Sequence, residues 1–227
     1  MHRLITVSLV ALLTACTAAT PPHASAPTSF EVGDIGPGGG TIFLVATEPF
    51  PCGVNLAEQC QFLEAAPVED EVHRTWLDVK RFPLPTQVLG ASRPDIGAGL
   101  ENSLDISRHE GASTENSAAV YALNYSHGGK SDWFLPSLKE LEALCSFAHG
   151  QIVDERSTGC GFDMSSTDVY VPPALMHNDQ YWTSTEDVSA YDIPPQFDTA
   201  WALDSTIGPR LSKLKNNEYR VRPIRAF

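Results

Sequence analysis

The residue pattern predicts one mixed domain of helices and strands. Three observations carry this: a β-branched run behind a glycine-rich lead, a capping box opening a helix, and three short strand-like runs toward the C-terminus. The lead Gly33-Asp34-Ile35-Gly36-Pro37-Gly38-Gly39-Gly40 enters Thr41-Ile42-Phe43-Leu44-Val45, which reads as a buried strand. A phosphate-cradling loop would need a Lys-Ser/Thr after the glycines and then a helix, and has neither. The glycines are therefore assigned to tight turns and close backbone approach. A first helix is expected over 113–125, with Ala118, Ala119, Ala122 and Leu123 as its packing face and His127-Gly128-Gly129 as its stop. The second helix opens at Ser137-Leu138-Lys139-Glu140, a capping box in which hydroxyl and carboxylate exchange bonds with each other's main chain. Leu138, Leu141, Leu144, Cys145 and Ala148 then recur at helical spacing. Residues 150–178 show no periodicity and read as a long loop, a class that is often functional. Strands are expected at 181–185, 200–204 and 219–224.

The N-terminus predicts export. Arg3 precedes an apolar run, 4–13, broken only by Thr6 and Ser8. A membrane span needs roughly 20 such residues, so this run reads as a signal-peptide core. Leu13-Thr14-Ala15-Cys16 resembles the lipobox, so 1–15 are expected to be removed and Cys16 to carry the lipid. Two acyl chains, at about 0.8 kcal/mol per buried methylene, anchor stably where one does not. Thr17 stands where an inner-membrane retention signal has an acidic residue, which directs the protein to the outer membrane of a cell that has one. Residues 16–29 are small and Pro-rich, a flexible tether, and 30–227 has the length of one globular domain.

Loss of Arg3 lowers the formal charge from −13 to −14. Such a balance argues against nucleic acid as a partner. The chain end is locally basic, with Arg210, Lys213, Lys215, Arg220, Arg222 and Arg225 against Glu218 alone. These residues either form a ligand-binding face, with Arg210, Lys213 and Lys215 as its candidates, or pair with carboxylates elsewhere in the fold. Beyond Cys16, the four cysteines Cys52, Cys60, Cys145 and Cys160 imply disulfides in an exported chain. The expected pairing is Cys52–Cys60 and Cys145–Cys160, because each closes a local loop of roughly 3 kcal/mol entropic worth. Zinc is the rival use of these residues. No close Cys-x-x-Cys occurs and His149 is the only histidine close to the second pair, so no metal or cofactor is expected.

Four blocks in order, GDIGPGGGTIF (33–43), DWFLPSLKEL (132–141), YWTSTE (181–186) and VRPIRAF (221–227), resemble the C-terminal domain family of the Legionella collagen-like adhesin. That bacterial family is otherwise of unknown function. The second block is also similar to the helix start of formylglycine-generating-enzyme domains. The resemblance implies an α+β, C-type-lectin-like fold: two helices packed on small antiparallel sheets, with long loops and adjacent chain ends. Leu135-Pro136 enforces an extended approach to the cap. Trp133 and Trp182 supply core bulk, with a sugar-stacking platform as the alternative for Trp182. Val221 and Ile224 are expected to be buried, with the arginines interleaved on the other side.

The resemblance implies a surface-anchored, non-catalytic binding or adhesion module whose ligand is a glycan or a surface protein. The sulfated glycans of the adhesin fit poorly with so acidic a chain. Calcium-dependent sugar binding would require clustered oxygens. The fold's usual Glu-Pro-Asn and Trp-Asn-Asp signatures are absent, which leaves His177-Asn178-Asp179 and Glu186-Asp187 as oxygen sources. An enzyme is the second class, but no nucleophile elbow or His-Glu-x-x-His occurs, and every cysteine of a formylglycine-type mechanism has a local partner. A structural envelope subunit is the third.

Overall fold

A computed structural model describes residues 29–77, 87–112, 116–151, 160, 175–189 and 198–227. The expected signal peptide, Cys16 and all but the last residue of the expected tether lie outside the described residues, as do 113–115 of the expected first helix and most of the expected 150–178 loop. The described chain is mixed α and β, with three helices and two mostly antiparallel sheets.

The three-stranded sheet has order β1-β2-β8, from β1 (Thr41–Cys52), β2 (Glu58–Ala65) and β8 (Ile224–Ala226). The expected strand at 41–45 continues to Cys52 through a register shift between Val45 and Phe50. Pro49 and Pro51 are tolerated because β1 lies at the sheet edge, where a missing N–H costs little. The second sheet runs β3-β7-β4-β5-β6. Its strands are β3 (Val72–Thr75), β4 (Gln180–Glu186), β5 (Thr199–Asp204), β6 (Arg210–Leu214) and β7 (Glu218–Val221), and only the β4–β7 pair is parallel. The single strand expected at 219–224 is instead two: Arg222-Pro223 breaks the ladder, and β7 and β8 join different sheets.

Strand alternation divides the core. Tyr181 and its partner Leu203 face the cluster that holds Phe43, Leu63, Leu141, Leu144 and Ile224. Trp182 and its partner Ala202 face the other cluster, with Trp76, Ile106, Ala118, Ala122 and Val221. Trp133, Trp182, Val221 and Ile224 are all fully buried.

Helix α3 (Leu138–Ala148) carries the expected box: the Glu140 amide donates to Ser137 Oγ at 3.4 Å and the Ser137 amide to Glu140 Oε2 at 2.7 Å. Helix α2 (Ala118–Asn124) is shorter than the helix expected over 113–125: Ser117 is extended and bridges to Thr75, so the helix starts at Ala118, and it buries its alanines. Helix α1 (Gly99–Ser107) is an addition to the expected pair. Apart from Ile106, its inward face is polar: Asn102 Nδ2 donates to the Arg93 carbonyl at 2.7 Å, and Ser103 Oγ accepts from the Leu135 amide at 3.0 Å. No apolar stripe advertises such a helix. Disulfides Cys52–Cys60 and Cys145–Cys160 have Cα separations of 5.9 and 5.5 Å. Among the described residues no helix is long and apolar enough to cross a membrane.

Candidate functional site

Three of the four blocks meet around one buried carboxylate. Glu64 of β2 accepts the Gly38 amide at 2.9 and 3.1 Å and the Gly40 amide at 2.7 Å. Arg225 of β8 donates to Glu64 from Nη1 at 3.0 Å, and forks onto Asp132 from Nε at 2.9 Å and Nη2 at 2.7 Å. Its guanidinium also lies 4.6 Å from the Phe227 ring centre. The glycine loop is thus an anion cradle of the kind successive N–H groups make, filled by the chain's own carboxylate. A Cβ on Gly40 would stand 2.1 Å from the Ala65 carbonyl oxygen, and one on Gly36 2.5 Å from Glu64 Cδ. That close approach is what the glycines provide.

Three more of the C-terminal basic residues also hold the fold together. Strand β7 lies between β3 and β4, so His73 and Tyr181 are both register partners of Arg220. The Glu71 side chain, fully buried, accepts Arg222 Nη1 at 2.6 Å and the Tyr181 hydroxyl at 2.8 Å, with His177 Nδ1 at 2.7 Å. Arg220 Nε donates to Asp179 at 2.9 Å, and His73 Nε2 lies 3.1 Å from the same oxygen. Burial and the neighbouring Glu71 charge push the Tyr181 hydroxyl well above the usual tyrosine range. The hydroxyl therefore stays protonated and acts as a donor. Burial would raise Asp179, but the Gln180 amide, His73 and Arg220 hold it below the usual carboxylate range.

Lys215 is corrected from a ligand candidate to a core residue. It pairs with Glu186, both side chains fully buried, and stands 4.7 Å from the Trp76 ring centre. Burial raises Glu186 and lowers Lys215, each opposed by the attraction of the other. The carboxylates considered for calcium are likewise occupied. Asp179 and Glu186 hold the cations above, and Asp187 accepts from Ser189 and Ser212 hydroxyls. Trp182 gives its indole N–H to the Arg74 carbonyl at 3.0 Å and is buried rather than a platform.

Arg210 and Lys213 differ from these residues. Neither forms an ion pair among the described residues, Lys213 being half-buried on β6. Arg210 is exposed, with its guanidinium 5.5 Å from the Trp201 ring centre. It borders a groove of about 440 Å³ between the start of α3 and the β5–β6 turn, whose walls include Pro94, Leu138, Lys139, Glu142 and Pro209. Lys139 reaches Asp95 at 2.6 Å in a largely exposed pair. The first α3 amides offer the groove nothing: Leu138 N–H bonds Thr185 Oγ1, Lys139 N–H the Pro94 carbonyl, and Glu140 N–H Ser137 Oγ. The polar groups along the groove are therefore side chains, a guanidinium and an ammonium beside the Glu142 carboxylate. Lys139 lies inside a recognised block, but its place on a groove depends on the distant β5–β6 turn and has no local signal. No protein-family model matches the chain, and no curated protein matches it.

Proposed function

We propose that the protein is a lipid-anchored, extracytoplasmic binding module of C-type-lectin-like type, related to the adhesin domain family, that takes a glycan or surface-protein ligand in the groove bordered by Arg210. The carrying observation is the contrast among the six C-terminal cations. Four are committed to carboxylates inside the fold, while Arg210 lies on Trp201 at a groove edge with its donors unclaimed by any described carboxylate. A guanidinium fork preordered on an aromatic face loses little freedom on meeting a carboxylate or sugar hydroxyls. The two disulfides support an oxidising compartment, and the lipobox-like Leu13-Thr14-Ala15-Cys16 supports the anchor.

The test is a glycan array with a whole-cell pull-down, run for the wild type and for Arg210→Ala. Capture by the wild type that the variant loses is the expected result. Blank results in both formats, or equal capture by the variant, would remove the reading. Labelled fatty acid incorporated by the wild type and absent from Cys16→Ser tests the anchor separately.

A further inference from the structure

We propose that Cys145, His149 and Cys160 are the ligands of a site for a thiophilic closed-shell cation, Zn²⁺ in the first instance, that opens when the Cys145–Cys160 disulfide is reduced. Each side chain offers one ligand atom, and the three atoms lie within 4.8 Å of one another. Cys145 lies in the last turn of helix α3 and His149 is the C-cap residue that ends it, four positions on. Among the described residues no other group of three or more His, Cys, Asp or Glu side chains has ligand geometry.

The histidine is set up for this role. Its Nε2 lies 3.0 Å from the Ser205 carbonyl oxygen. A carbonyl only accepts, so Nε2 carries the proton and Nδ1 keeps its lone pair. A backbone carbonyl that fixes the tautomer in this way is the usual outer support of a ligating histidine. Ser205 is itself held, with its amide on the Asp179 carbonyl at 3.0 Å and its hydroxyl donating to the His177 carbonyl at 2.6 Å.

The sulfur chemistry balances. An external dithiol passes two electrons and two protons to the disulfide and becomes a disulfide itself, leaving Cys145 and Cys160 as thiols. Zn²⁺ then displaces both thiol protons. At Zn–S distances near 2.3 Å, the sulfurs of a tetrahedral site stand about 3.8 Å apart, which the opened bridge permits. Two thiolates and one imidazole suit zinc rather than a hard cation, since the set contains no oxygen. They leave one position for water or a further ligand. Disulfide and metal are exclusive occupants of the same two sulfurs.

The experiment uses the full chain carrying Cys16→Ser, Cys52→Ser and Cys60→Ser, so that Cys145 and Cys160 are its only thiols. Zinc is titrated against the oxidised and the dithiol-reduced protein, with Co²⁺ as spectroscopic probe. The reduced protein should take one equivalent of zinc, show a near-ultraviolet thiolate-to-cobalt band and melt at a higher temperature with zinc. The oxidised protein should do none of these, and His149→Ala should weaken zinc on the order of tenfold or more. Equal zinc affinity in both redox states, no cobalt band, or unchanged affinity in His149→Ala would overturn the proposal. If the serine variant fails to fold, the same titration on the reduced wild-type chain is compared with Cys145→Ser, which should lose the zinc equivalent. A reduced chain that is unfolded and does not regain helical circular dichroism with zinc would also overturn it.

Discussion

Arg225→Met tests whether the glycine loop is held by a buried ion pair. The arginine side chain is 4% exposed and links Glu64, fully buried, to Asp132, which is 53% exposed. Removing the guanidinium strands the Glu64 charge, for which breaking a buried pair costs about 3–5 kcal/mol. The Gly38 and Gly40 amides remain on Glu64 and offset part of this, so the expected cost is near the lower end, about 3 kcal/mol. The Asp132 half is worth about 1 kcal/mol or less because water screens it. At roughly 2–4 °C per kcal/mol for a domain of this length, Arg225→Met should melt about 6–12 °C below the wild type. Urea unfolding should give the same ranking at unchanged slope. Asp132→Asn is the internal control, with a loss of about 1 kcal/mol or less. Glu64→Gln combined with Arg225→Met should cost less than the two single losses added, because the second change no longer leaves a charge alone. Arg225→Met costing no more than Asp132→Asn would refute the reasoning.

Other perturbations separate the remaining devices. Gly40→Ala drives a Cβ to 2.1 Å from the Ala65 carbonyl oxygen and should cost about 1–3 kcal/mol by urea denaturation, the usual range for overpacking. Replacing both cysteines of a bridge by alanine should lower stability by about 2.5 kcal/mol for Cys52–Cys60 and about 3 kcal/mol for Cys145–Cys160, from separations of 8 and 15 residues. The fully buried Glu140 carboxyl is raised from 4.5 to about 7, burial outweighing its bonds from Ser137, Gly97 and Gly99. Its folded form holds a proton that the unfolded chain has released across that window. Stability should therefore fall by about 3 kcal/mol as pH rises from 4.5 to about 7, a slope that Glu140→Gln should lack.

Local signals were legible in the sequence and long-range ones were not. The α3 capping box needs only Ser137 and Glu140, three residues apart, and α3 starts where that box places it. Strand β2, EQCQFLEA, is written in helix-forming residues. It is a strand because β1 and β8 pair with it on either side, a tertiary override of local preference. Helix α1 was hidden by its polar inner face. The anion of the glycine loop was hidden by distance: Arg225 and Glu64 are 161 residues apart, and Arg222 and Glu71 are 151 apart. For the same reason the C-terminal basic run could be read as a face or as partners for carboxylates. Register in β7 assigns Arg220 to the interior network, and the Pro223 break sends Arg225 to the other sheet.

The four sequence blocks are occupied in holding the fold together, and this bears on where a ligand can act. Gly38 and Gly40 hold Glu64, Asp132 holds Arg225, Ser137 and Glu140 cap α3, and Glu186 neutralises Lys215. A group already satisfied by the fold is a poor ligand contact, because binding would first break an internal bond and leave its partner buried and unpaired. Arg210 carries no such bond among the described residues, and the Lys139–Asp95 pair is exposed enough to exchange at little cost. The two kinds of position should therefore separate in experiment. Arg210→Ala should alter capture of a surface ligand while melting within about 0.5 kcal/mol of the wild type, as surface substitutions do. Arg225→Met should alter melting first, and capture only to the extent that the folded fraction falls. An Arg210 variant as unstable as the Arg225 one would place Arg210 in the scaffold and leave the groove without its guanidinium.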